Sequence, residues 1–554
     1  MSRKQALIIL FAILLFAALL RLWGLSRGDL LNDEATYAFR AVGLLDYFRW
    51  SSQETPLAWF DPGIPSWTKF SFHDHPPLVF LIQHFFIRLF GENVIAFRLP
   101  SVLFGVASVL FLYLVARRFF SYEAALIAAG LFAVNVNHVF ISRVGMQESY
   151  VIFFMLASIF FFLKALGRDS YFLHAGIAVG LALLTKYTAV ILFPIFGLYL
   201  LLVRPRLFLN KKLWFGFCVA LAVFSPVIIY NLELYRATGY LDFQFSTVFG
   251  PRPEAWRVAP GKEIGTFLER AGQFIPNLIA GNSWVFLSLF ASAFVAFLVG
   301  AARNFSHIVR RYLLLIVSLP FVVLLLLVIG PSNRFLTMLT PFIAIAVGVF
   351  MYAFYQKFLW RFPKAALILL IVVFAFEIFY TVNNQIRYYS VGLEPWLASR
   401  IRYENYNAGN RELSAWIENE LENKVPAFVL YEKFGFLRRI QEKAVAEAEA
   451  EGRAPYPAAI VLYGNFDQGE RMWSFDRLLV YHGWPVIPFS DYGDMLRVNG
   501  FDYLFRTGFR HVYFVVSTNF IPSPDFFGHV EGVEPASIQN KKGDEAFKIY
   551  RKIL

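Results

Sequence analysis

Long runs of apolar residues, separated by short polar connections, dominate the chain up to about residue 382. Many of these runs approach the length of about 17 to 25 residues that an α-helix needs to cross a bilayer. The pattern therefore predicts a polytopic α-helical membrane protein with about eleven spans. We place these spans at residues 6–23, 94–116, 123–141, 149–166, 171–186, 187–203, 213–230, 284–302, 310–330, 335–355 and 365–382.

Two long connections interrupt the predicted spans. The first, residues 24–93, contains the apolar segment LVFLIQHFFIRLFG (78–91), which is too short to cross a bilayer comfortably. This segment predicts a helix that lies in the membrane interface or re-enters the membrane. The second connection, residues 231–283, is rich in proline, glycine and aromatic residues. We interpret it as a lid-like loop over the membrane face.

The pattern changes at about residue 383, where long apolar runs stop and charged residues become dense. Short β-branched and aromatic runs alternate there with segments of helical spacing, which predicts a small α/β domain over residues 383–554. The predicted strands are AFVLYE (427–432), AAIVLYG (458–464), PVIPF (485–489) and HVYFVVS (511–517), and the predicted helices are ELSAWIENEL (412–421) and residues 436–451.

The composition agrees with a membrane protein, because 58% of the residues are hydrophobic and only 16% are charged. The net charge of +12 comes mostly from basic residues at the ends of apolar runs, so it indicates membrane topology, and we expect no nucleic-acid partner. The one cysteine, Cys218, allows no intrachain disulfide.

The basic residues also predict which face each connection occupies. If Arg3 and Lys4 are cytoplasmic, every second connection should be basic, and it is. An odd number of spans then places residues 383–554 on the extracytoplasmic face of a multi-pass protein of the plasma membrane. The basic connections contain Arg117, Arg118, Lys164, Arg168, Arg204, Arg206, Lys211, Lys212, Arg303, Arg310, Arg311, Lys357, Arg361 and Lys364.

Asp33 and Glu34 stand side by side in LLNDEATYAFRA (30–41), just beyond the first predicted span. Two adjacent carboxylates at a membrane boundary are costly to desolvate unless they bind something. We therefore take both as candidate catalytic residues. The alternative interpretation is a solvated helix start, in which Asn32 or Asp33 caps a helix that continues to Leu45.

A second polar cluster, FHDHPPL, follows in the same connection, where His73 and His75 flank Asp74 before a Pro-Pro pair. Imidazole and carboxylate are suitable ligands for a divalent metal. Asp33, Asp74 and His73 are therefore candidate metal ligands. The alternative interpretation is an ordinary polar loop with a proline-stabilised turn.

Three more charged residues stand at predicted outer ends of spans: Glu148 in SRVGMQES, Lys186 in LALLTKYTA and Arg334 in GPSNRFL. An acid can deprotonate an acceptor hydroxyl or hold a metal. Lone cations at the depth of the headgroups suit a lipid phosphate. The alternatives are a favourable acid at a helix N-terminus for Glu148 and a lysine that snorkels to the interface for Lys186. Together, such acids and cations suit transfer of a sugar from a polyprenyl phosphate.

Over about residues 1–382, the motifs and their order resemble the GT-C class of membrane glycosyltransferases. The specific likeness is to the superfamily of dolichyl-phosphate-mannose protein mannosyltransferases and aminoarabinose transferases. The motifs are LLNDEATYAFRA, HDHPPL followed by an apolar helix and LFG, AFRLPSVLFGVASVLFLYLVARRFF, SRVGMQESYVIFFMLAS, LLTKYTAV and the NRF before a late span.

The resemblance implies that Asp33, with Glu34 beside it, is the catalytic or metal-organising carboxylate. The other implied residues are Glu148 as the acid opening the fourth span, Lys186 and Arg334 on the lipid phosphate, and Asp74 and His75 lining the donor site. Three positions depart from the pattern of the superfamily. Glu148 stands where aspartate is usual, Phe335 where tyrosine is common, and His75 where the aminoarabinose branch has lysine.

The leading hypothesis is an inverting glycosyltransferase with a polyprenyl-phosphate sugar as its donor. Its partners would be that donor, membrane lipids, and a protein, lipid or polysaccharide acceptor at the outer face, and a divalent metal is a candidate cofactor. The alternative is a lipid-linked-sugar flippase or transporter. Transporters tend to have repeated halves and ionisable residues at the midplane, and the sequence shows neither. A third hypothesis is an interaction protein, in which a degenerate membrane part presents the outer domain.

Overall fold

The apolar runs fold as helices in the computed structural model, which describes residues 1–30, 32–46, 64–250, 265–430, 434–464, 466 and 471–554, without the side chains of Asn32 and His307. The chain divides into two units. The first unit comprises Met1–Ser26 and Phe70–Glu404, and the second comprises Arg27–Lys69 and Asn405–Leu554.

In the part of the chain that the structure describes, eight helices are long and apolar enough to cross a membrane. Helices Tyr122–Val134 and Val136–Arg143 would add a ninth span as a pair, although they are bent by 56°. The predicted spans 171–186 and 187–203 fall on apolar helices that are shorter than 18 residues. The eight helices are Arg3–Leu22, Val94–Ala116, Gln147–Ala165, Lys211–Thr238, Trp284–Arg303, Ile308–Ile329, Asn333–Leu359 and Pro363–Gln385. The predicted polytopic helical fold is confirmed.

Shorter helices and turns connect these spans in the first unit. Leu78–Phe90 is the apolar helix that was predicted within residues 78–91. The span Asn333–Leu359 changes from α-helix to a π-helical turn over Tyr355–Leu359. The remaining elements are Tyr171–Thr185, Tyr187–Ile191, Leu192–Val203, Pro205–Leu209, Phe243–Phe249 and Phe267–Ala280.

Polar side chains keep the bend at Asn135 satisfied inside the apolar unit. The Asn135 side chain accepts a hydrogen bond from the backbone of His138 and donates one to Asn282. The hydroxyl of Thr381 donates to the carbonyl of Val134, which the bend removes from the helical ladder. A broken span needs such partners, because unsatisfied backbone groups are costly in an apolar environment.

Buried arginines fix the end of the first helix, Arg3–Leu22. Arg143 donates to the carbonyls of Leu20, Arg21 and Trp23, which have no partner further along the helix. Arg98 donates to the carbonyl of Leu25. A cation at a helix C-terminus is also favoured by the helix dipole. The guanidinium of Arg143 therefore lies inside the protein and does not snorkel.

The boundary between the two units lies between residues 404 and 405. The sequence pattern predicted a domain boundary between residues 382 and 383. The difference arises because polar side chains at the end of helix Pro363–Gln385 bind the segment that follows it. Asn383 donates to the carbonyls of Val391 and Leu397, and the Asn384 side chain accepts from the backbone of Ser399. These bonds keep the segment with the first unit.

The second unit is an α/β fold around a five-stranded sheet with the strand order β4-β3-β5-β7-β6. Strand β3 is parallel to β4 and β5, while β7 is antiparallel to β5 and β6. Strands β1 and β2 form a separate parallel pair. The strands are β1 (Lys424–Pro426), β2 (Ala454–Tyr456), β3 (Ala458–Tyr463), β4 (Val486–Pro488), β5 (His511–Ser517), β6 (Pro535–Gln539) and β7 (Glu545–Ile553).

Helices cover this sheet, and its core contains Val461, Phe514 and Phe526. The predicted helices and three of the four predicted strands are confirmed. The strand predicted at 427–432 is wrong for residues 427–430, because the paired strand β1 ends at Pro426. The helices are Asn410–Glu420, Gly435–Ala450, Arg477–His482, Phe489–Asn499, Tyr503–Arg506 and Pro524–His529, with a π-helical turn at Met472–Asp476.

The start of the first predicted loop folds with the second unit and not with the membrane helices. The side chain of Asp29 accepts hydrogen bonds from the backbone of Ala408 and Arg411. Burial raises the pKa of Asp29. Helix Asn32–Gly43 contacts Tyr481, whose hydroxyl donates to the carbonyl of Phe39 at 3.0 Å. These contacts explain why residues 27–69 group with the C-terminal region.

Candidate active site

The two adjacent acids of the first loop lie in the first turn of helix Asn32–Gly43, in the second unit. The dipole of a helix favours negative charge at this end. Glu34 is fully buried, whereas Asp33 is partly exposed. Burial and the neighbouring charge of Glu34 raise the pKa of Tyr406 to about 12. A solvated helix start does not account for Glu34, since its side chain is removed from water.

Glu148, Lys186 and Arg334 come together in the first unit. Glu148 lies in the first turn of helix Gln147–Ala165, and only 1% of its surface is exposed. The ammonium nitrogen of Lys186 lies 2.6 Å from Glu148 Oε1, and Arg334 Nε lies 3.8 Å from the same oxygen. Lys186 is itself buried, so it does not snorkel. We call these three residues the paired-cation cluster.

Phe335 completes this cluster, at a position where the resemblance would imply tyrosine. Its ring centroid lies 4.2 Å from the Lys186 ammonium and 4.8 Å from the Arg334 guanidinium carbon. Both distances allow a cation–π interaction, which needs only the face of the ring and no hydroxyl. A phenylalanine at this position therefore still orients the two cations.

A break between two helices places Lys186 inside the unit. Helix Tyr171–Thr185 ends at Lys186, whose backbone is extended, and a short 3₁₀ helix begins at Tyr187. The Tyr187 hydroxyl donates to Asp242 Oδ2 at 2.7 Å. The contact fixes the residue directly after Lys186, which limits the positions that the lysine can take.

Asp242 joins three segments next to this break. It caps helix Phe243–Phe249 by accepting from the backbone of Phe245, and it also accepts from the Asn231 side chain at 3.1 Å. Burial raises the pKa of Asp242 to about 6. The sequence reasoning missed Tyr187 and Asp242, although an isolated Asp within the apolar run YLDFQF was a visible signal.

The turn that carries Arg334 is held by two asparagines from other segments. The Asn137 side chain donates to the carbonyl of Asn333 at 2.9 Å, and the Asn277 side chain donates to the carbonyl of Pro331 at 3.0 Å. Thr337 donates back to Asn137 at 2.7 Å. Asn137 belongs to the second half of the bent helix pair, so that bend serves to position Arg334.

The second polar cluster of the first loop forms a compact group in the first unit. Asp74 lies between two imidazoles, with His75 Nδ1 at 2.9 Å and His73 Nδ1 at 3.9 Å from its carboxylate oxygens. The carbonyl of His73 accepts from the backbone of Phe243 at 2.6 Å. The Gln244 side chain contacts the carbonyl of Asp74 at 3.4 Å. This group is therefore tied to the helix that Asp242 caps.

The predicted site residues thus fall into three groups. Glu148, Lys186 and Arg334 form one contact group, and His73, Asp74 and His75 form another, both within the first unit. Asp33 and Glu34 belong to the second unit. The paired-cation cluster carries two positive charges and one negative charge beside apolar helices, which suits the binding of an anion.

Comparisons with known proteins agree with the motifs that these residues belong to. The family model described as dolichyl-phosphate-mannose-protein mannosyltransferase matches residues 74–230. This range includes His75, Glu148 and Lys186, and it ends before Arg334.

Two proteins of Bacillus subtilis (strain 168), each named as a candidate mannosyltransferase, match part of the chain. YkcB is 28% identical over 231 residues, which are 41% of this chain and 30% of YkcB. YycA is 32% identical over 216 residues, which are 38% of this chain and 30% of YycA. The matched region thus covers less than a third of the length of either relative.

A solved structure matches nearly the whole chain. The crystal structure of ArnT from Cupriavidus metallidurans bound to undecaprenyl phosphate has a TM-score of 0.55 at 14% identity, covering 99% of this chain and 98% of that chain. At this level of identity the likeness shows the fold. The chain therefore has the fold of the GT-C membrane glycosyltransferases, and the resemblance inferred from its motifs is confirmed.

Proposed function

We propose that this protein is an inverting glycosyltransferase that moves a sugar from a polyprenyl-phosphate donor to an acceptor at the outer face of the membrane. The observation that carries the proposal is the paired-cation cluster of Glu148, Lys186 and Arg334 in a GT-C fold. Two relatives support it, since ArnT was solved with undecaprenyl phosphate and YkcB is named as a candidate mannosyltransferase.

Lys186 and Arg334 would bind the phosphate of the donor. A guanidinium can hold two phosphate oxygens at once, and an ammonium adds a strong charge-assisted hydrogen bond. Glu148 would hold Lys186 in place before the donor arrives. As the sugar leaves, negative charge grows on the phosphate, and cations that are already in position stabilise it without rearrangement.

Asp33 would act on the acceptor as a general base. Its carboxylate takes the proton of the acceptor hydroxyl while that oxygen attacks the anomeric carbon. The bond between this carbon and the phosphate oxygen breaks, and its electron pair stays on the phosphate. A single displacement of this kind inverts the anomeric configuration. Glu34, buried beside Asp33, would keep the local charge negative.

A divalent metal fits part of this proposal. His73 and Asp74 offer an imidazole and a carboxylate within one compact group, which is a donor set suited to such an ion. A bound metal would lower the pKa of the acceptor hydroxyl or neutralise phosphate charge.

The experiment that tests the function is sugar transfer by the full chain in liposomes. The substrates are polyprenyl-phosphate hexoses and pentoses that carry an isotope label, offered with lipid and peptide acceptors. The account expects labelled product, released polyprenyl phosphate, and an inverted anomeric centre by NMR. Movement of intact lipid-linked sugar across the bilayer without cleavage would instead indicate the flippase.

A further inference from the structure

An apolar cavity of about 540 Å³ lies in the first unit, and none of the candidate site residues lines it. Its walls come from several membrane helices and include Ile127, Leu289, Phe350 and Leu370. Ligand pockets in proteins typically have volumes of about 300 to 1,000 Å³. The cavity is therefore large enough to hold part of a lipid.

The cavity is long enough to hold much of an acyl chain. Its lining includes residues from Pro363 to Val373 of one helix, which corresponds to a depth of about 15 Å at the helical rise per residue. This depth equals about half of the hydrocarbon thickness of a bilayer. An acyl chain that enters beside Pro363 could thus lie in the cavity along most of its length.

Three basic residues flank the lining residues at one end of the cavity in the sequence. Tyr355 and Leu359 of the π-helical turn line the cavity, and the segment FYQKFLWRFPK around them contains Lys357, Arg361 and Lys364. These three cations are exposed, and none forms an ion pair with any residue that the structure describes. This end of the cavity therefore has three basic side chains that can bind an anion. The lining itself contains one carboxylate, that of Glu123.

Aromatic residues at the mouth suit a membrane interface. Lys357 lies 5.2 Å from the ring centroid of Phe358, and the guanidinium carbon of Arg361 lies 5.1 Å from that of Trp360. Both rings are exposed. Aromatic and basic residues concentrate where headgroups meet the hydrocarbon. The positive-inside pattern predicts that this end faces the cytoplasm, where anionic lipids give the leaflet its negative charge.

We propose that the cavity binds an anionic phospholipid, with one acyl chain inside it and the phosphate on Lys357, Arg361 and Lys364. This site is distinct from the donor site, because none of the candidate donor or catalytic residues lines it. The lipid fills the space between helices Thr340–Phe354 and Pro363–Gln385 and holds the turn between them.

The test measures lipid binding by the delipidated full chain in detergent, using native mass spectrometry. Phosphatidylglycerol and phosphatidylcholine with the same acyl chains are compared. We expect clear preference for phosphatidylglycerol. Each of Lys357→Gln, Arg361→Gln and Lys364→Gln should weaken its binding about fivefold. The control Arg303→Gln/Arg310→Gln, which removes basic residues of another connection, should bind as the wild type does.

A second arm fills the cavity. Ala366→Phe adds volume at the cavity wall and should abolish binding of phosphatidylglycerol. Ser292→Leu fills the cavity independently from another wall. Ile368→Phe is the matched control, since Ile368 is exposed on the same helix and does not line the cavity. Equal binding of phosphatidylcholine, wild-type binding by the glutamine variants, or wild-type binding by a folded filling variant would overturn the proposal. So would equal binding of inorganic phosphate alone.

Discussion

Lys186 and Arg334 share one buried carboxylate, that of Glu148. A lysine is normally excluded from an apolar interior, because its ammonium loses hydration there. Glu148 offsets that loss at 2.6 Å, and Phe335 presents the face of its ring to both cations. The same arrangement leaves a phosphate two cationic partners that are already oriented.

At this scale, we predict that Lys186→Ala and Arg334→Ala weaken binding of a polyprenyl phosphate. Each variant removes a charge-assisted contact, typically worth about 1.5 to 3 kcal/mol. Binding can be measured by titrating the labelled lipid into purified protein. Lys164→Ala is the control, since Lys164 lies near the aromatic rings of Phe160 and Tyr171 in a basic connection.

Lys186→Ala also leaves Glu148 buried without its nearest cation, which is destabilising. The double variant Lys186→Ala/Glu148→Gln separates this effect from lipid binding. We expect it to recover the folded fraction without recovering affinity. Wild-type affinity in a folded Lys186→Ala or Arg334→Ala protein would contradict the phosphate role.

Asp242 gives a prediction about pH. Its folded-state pKa is raised to about 6 by burial, from an ordinary value of about 4. The folded protein therefore holds a proton that the unfolded chain releases, so the free energy of unfolding falls by roughly 3 kcal/mol as the pH rises from about 4 to 6. In the Asp242→Asn variant, the stability should no longer fall in this way when melting temperatures are measured across pH 4 to 7. An equal fall in wild type and variant would refute the assignment, and the exposed-acid variant Asp494→Asn should behave as the wild type does.

The sequence could reveal charged residues in unexpected places, but it could not reveal the residues that hold them. Lys186 and Arg334 stand out because cations are rare at outer ends of apolar runs. Asn137 and Tyr187 do not stand out, since asparagine and tyrosine are ordinary at helix ends. Their roles depend on Asn333 and Asp242, which are distant along the chain.

At the scale of elements, small residues let two helices approach closely. A Cβ atom added to Gly176 would lie 2.1 Å from the carbonyl oxygen of Gly216, on helix Lys211–Thr238. Helices in membranes associate through such contacts. Gly197, in contrast, has open space around its Cα atom.

We therefore predict that Gly176→Leu lowers the melting temperature of the purified protein strongly, while Gly197→Leu leaves it nearly unchanged. The first change must move a helix backbone. We expect this to cost more than the roughly 1 to 3 kcal/mol that overpacked side chains typically cost. Thermal unfolding in detergent compares the two variants directly. Similar melting temperatures would show that the helices can separate without cost.

The sequence predicts a helix or strand correctly where a local pattern of apolar residues determines it. Strand β5 coincides with HVYFVVS, because this run is buried by central pairing and is apolar between its terminal His511 and Ser517. Strands β6 and β7 were not predicted, since most positions of the edge strand β6 are exposed and charged residues interrupt the apolar positions of β7. The break at Asn135 was also missed, because the predicted span 123–141 was read as one helix, although its second half, Val136–Arg143, is less apolar than its first.

At the scale of the whole molecule, the membrane character followed from composition, but the division into units did not. Residues 27–69 precede most of the membrane helices and fold with the C-terminal region. Asp29 makes this link through backbone groups of residues 408 and 411. Hydrogen bonds of that kind leave no trace in composition or periodicity.

The predicted topology can be tested in intact cells. Cysteine is introduced at the exposed residue Glu531 in a Cys218→Ser background, with Arg206→Cys as the control for a predicted cytoplasmic connection. A membrane-impermeant maleimide should label Glu531→Cys in intact cells, or in protoplasts if a wall blocks access. It should label Arg206→Cys only after the inner face is exposed. The opposite pattern would place the C-terminal region in the cytoplasm.

The most direct test of the account is sugar transfer by Asp33→Asn in liposomes, with the folded fraction checked by detergent chromatography. Asparagine keeps the size and the hydrogen-bonding shape of the side chain but cannot accept the proton of a hydroxyl. Transfer should fall by roughly 10² to 10⁴, while donor binding is retained. Glu34→Gln should cost less, unless both acids share a metal. Since Asp33 lies in the first turn of its helix, a purely structural Asp33 would lose only a favourable interaction with the helix dipole, worth about 0.3 to 1 kcal/mol, and turnover would be retained. Unchanged turnover by a well-folded Asp33→Asn protein would contradict the catalytic assignment.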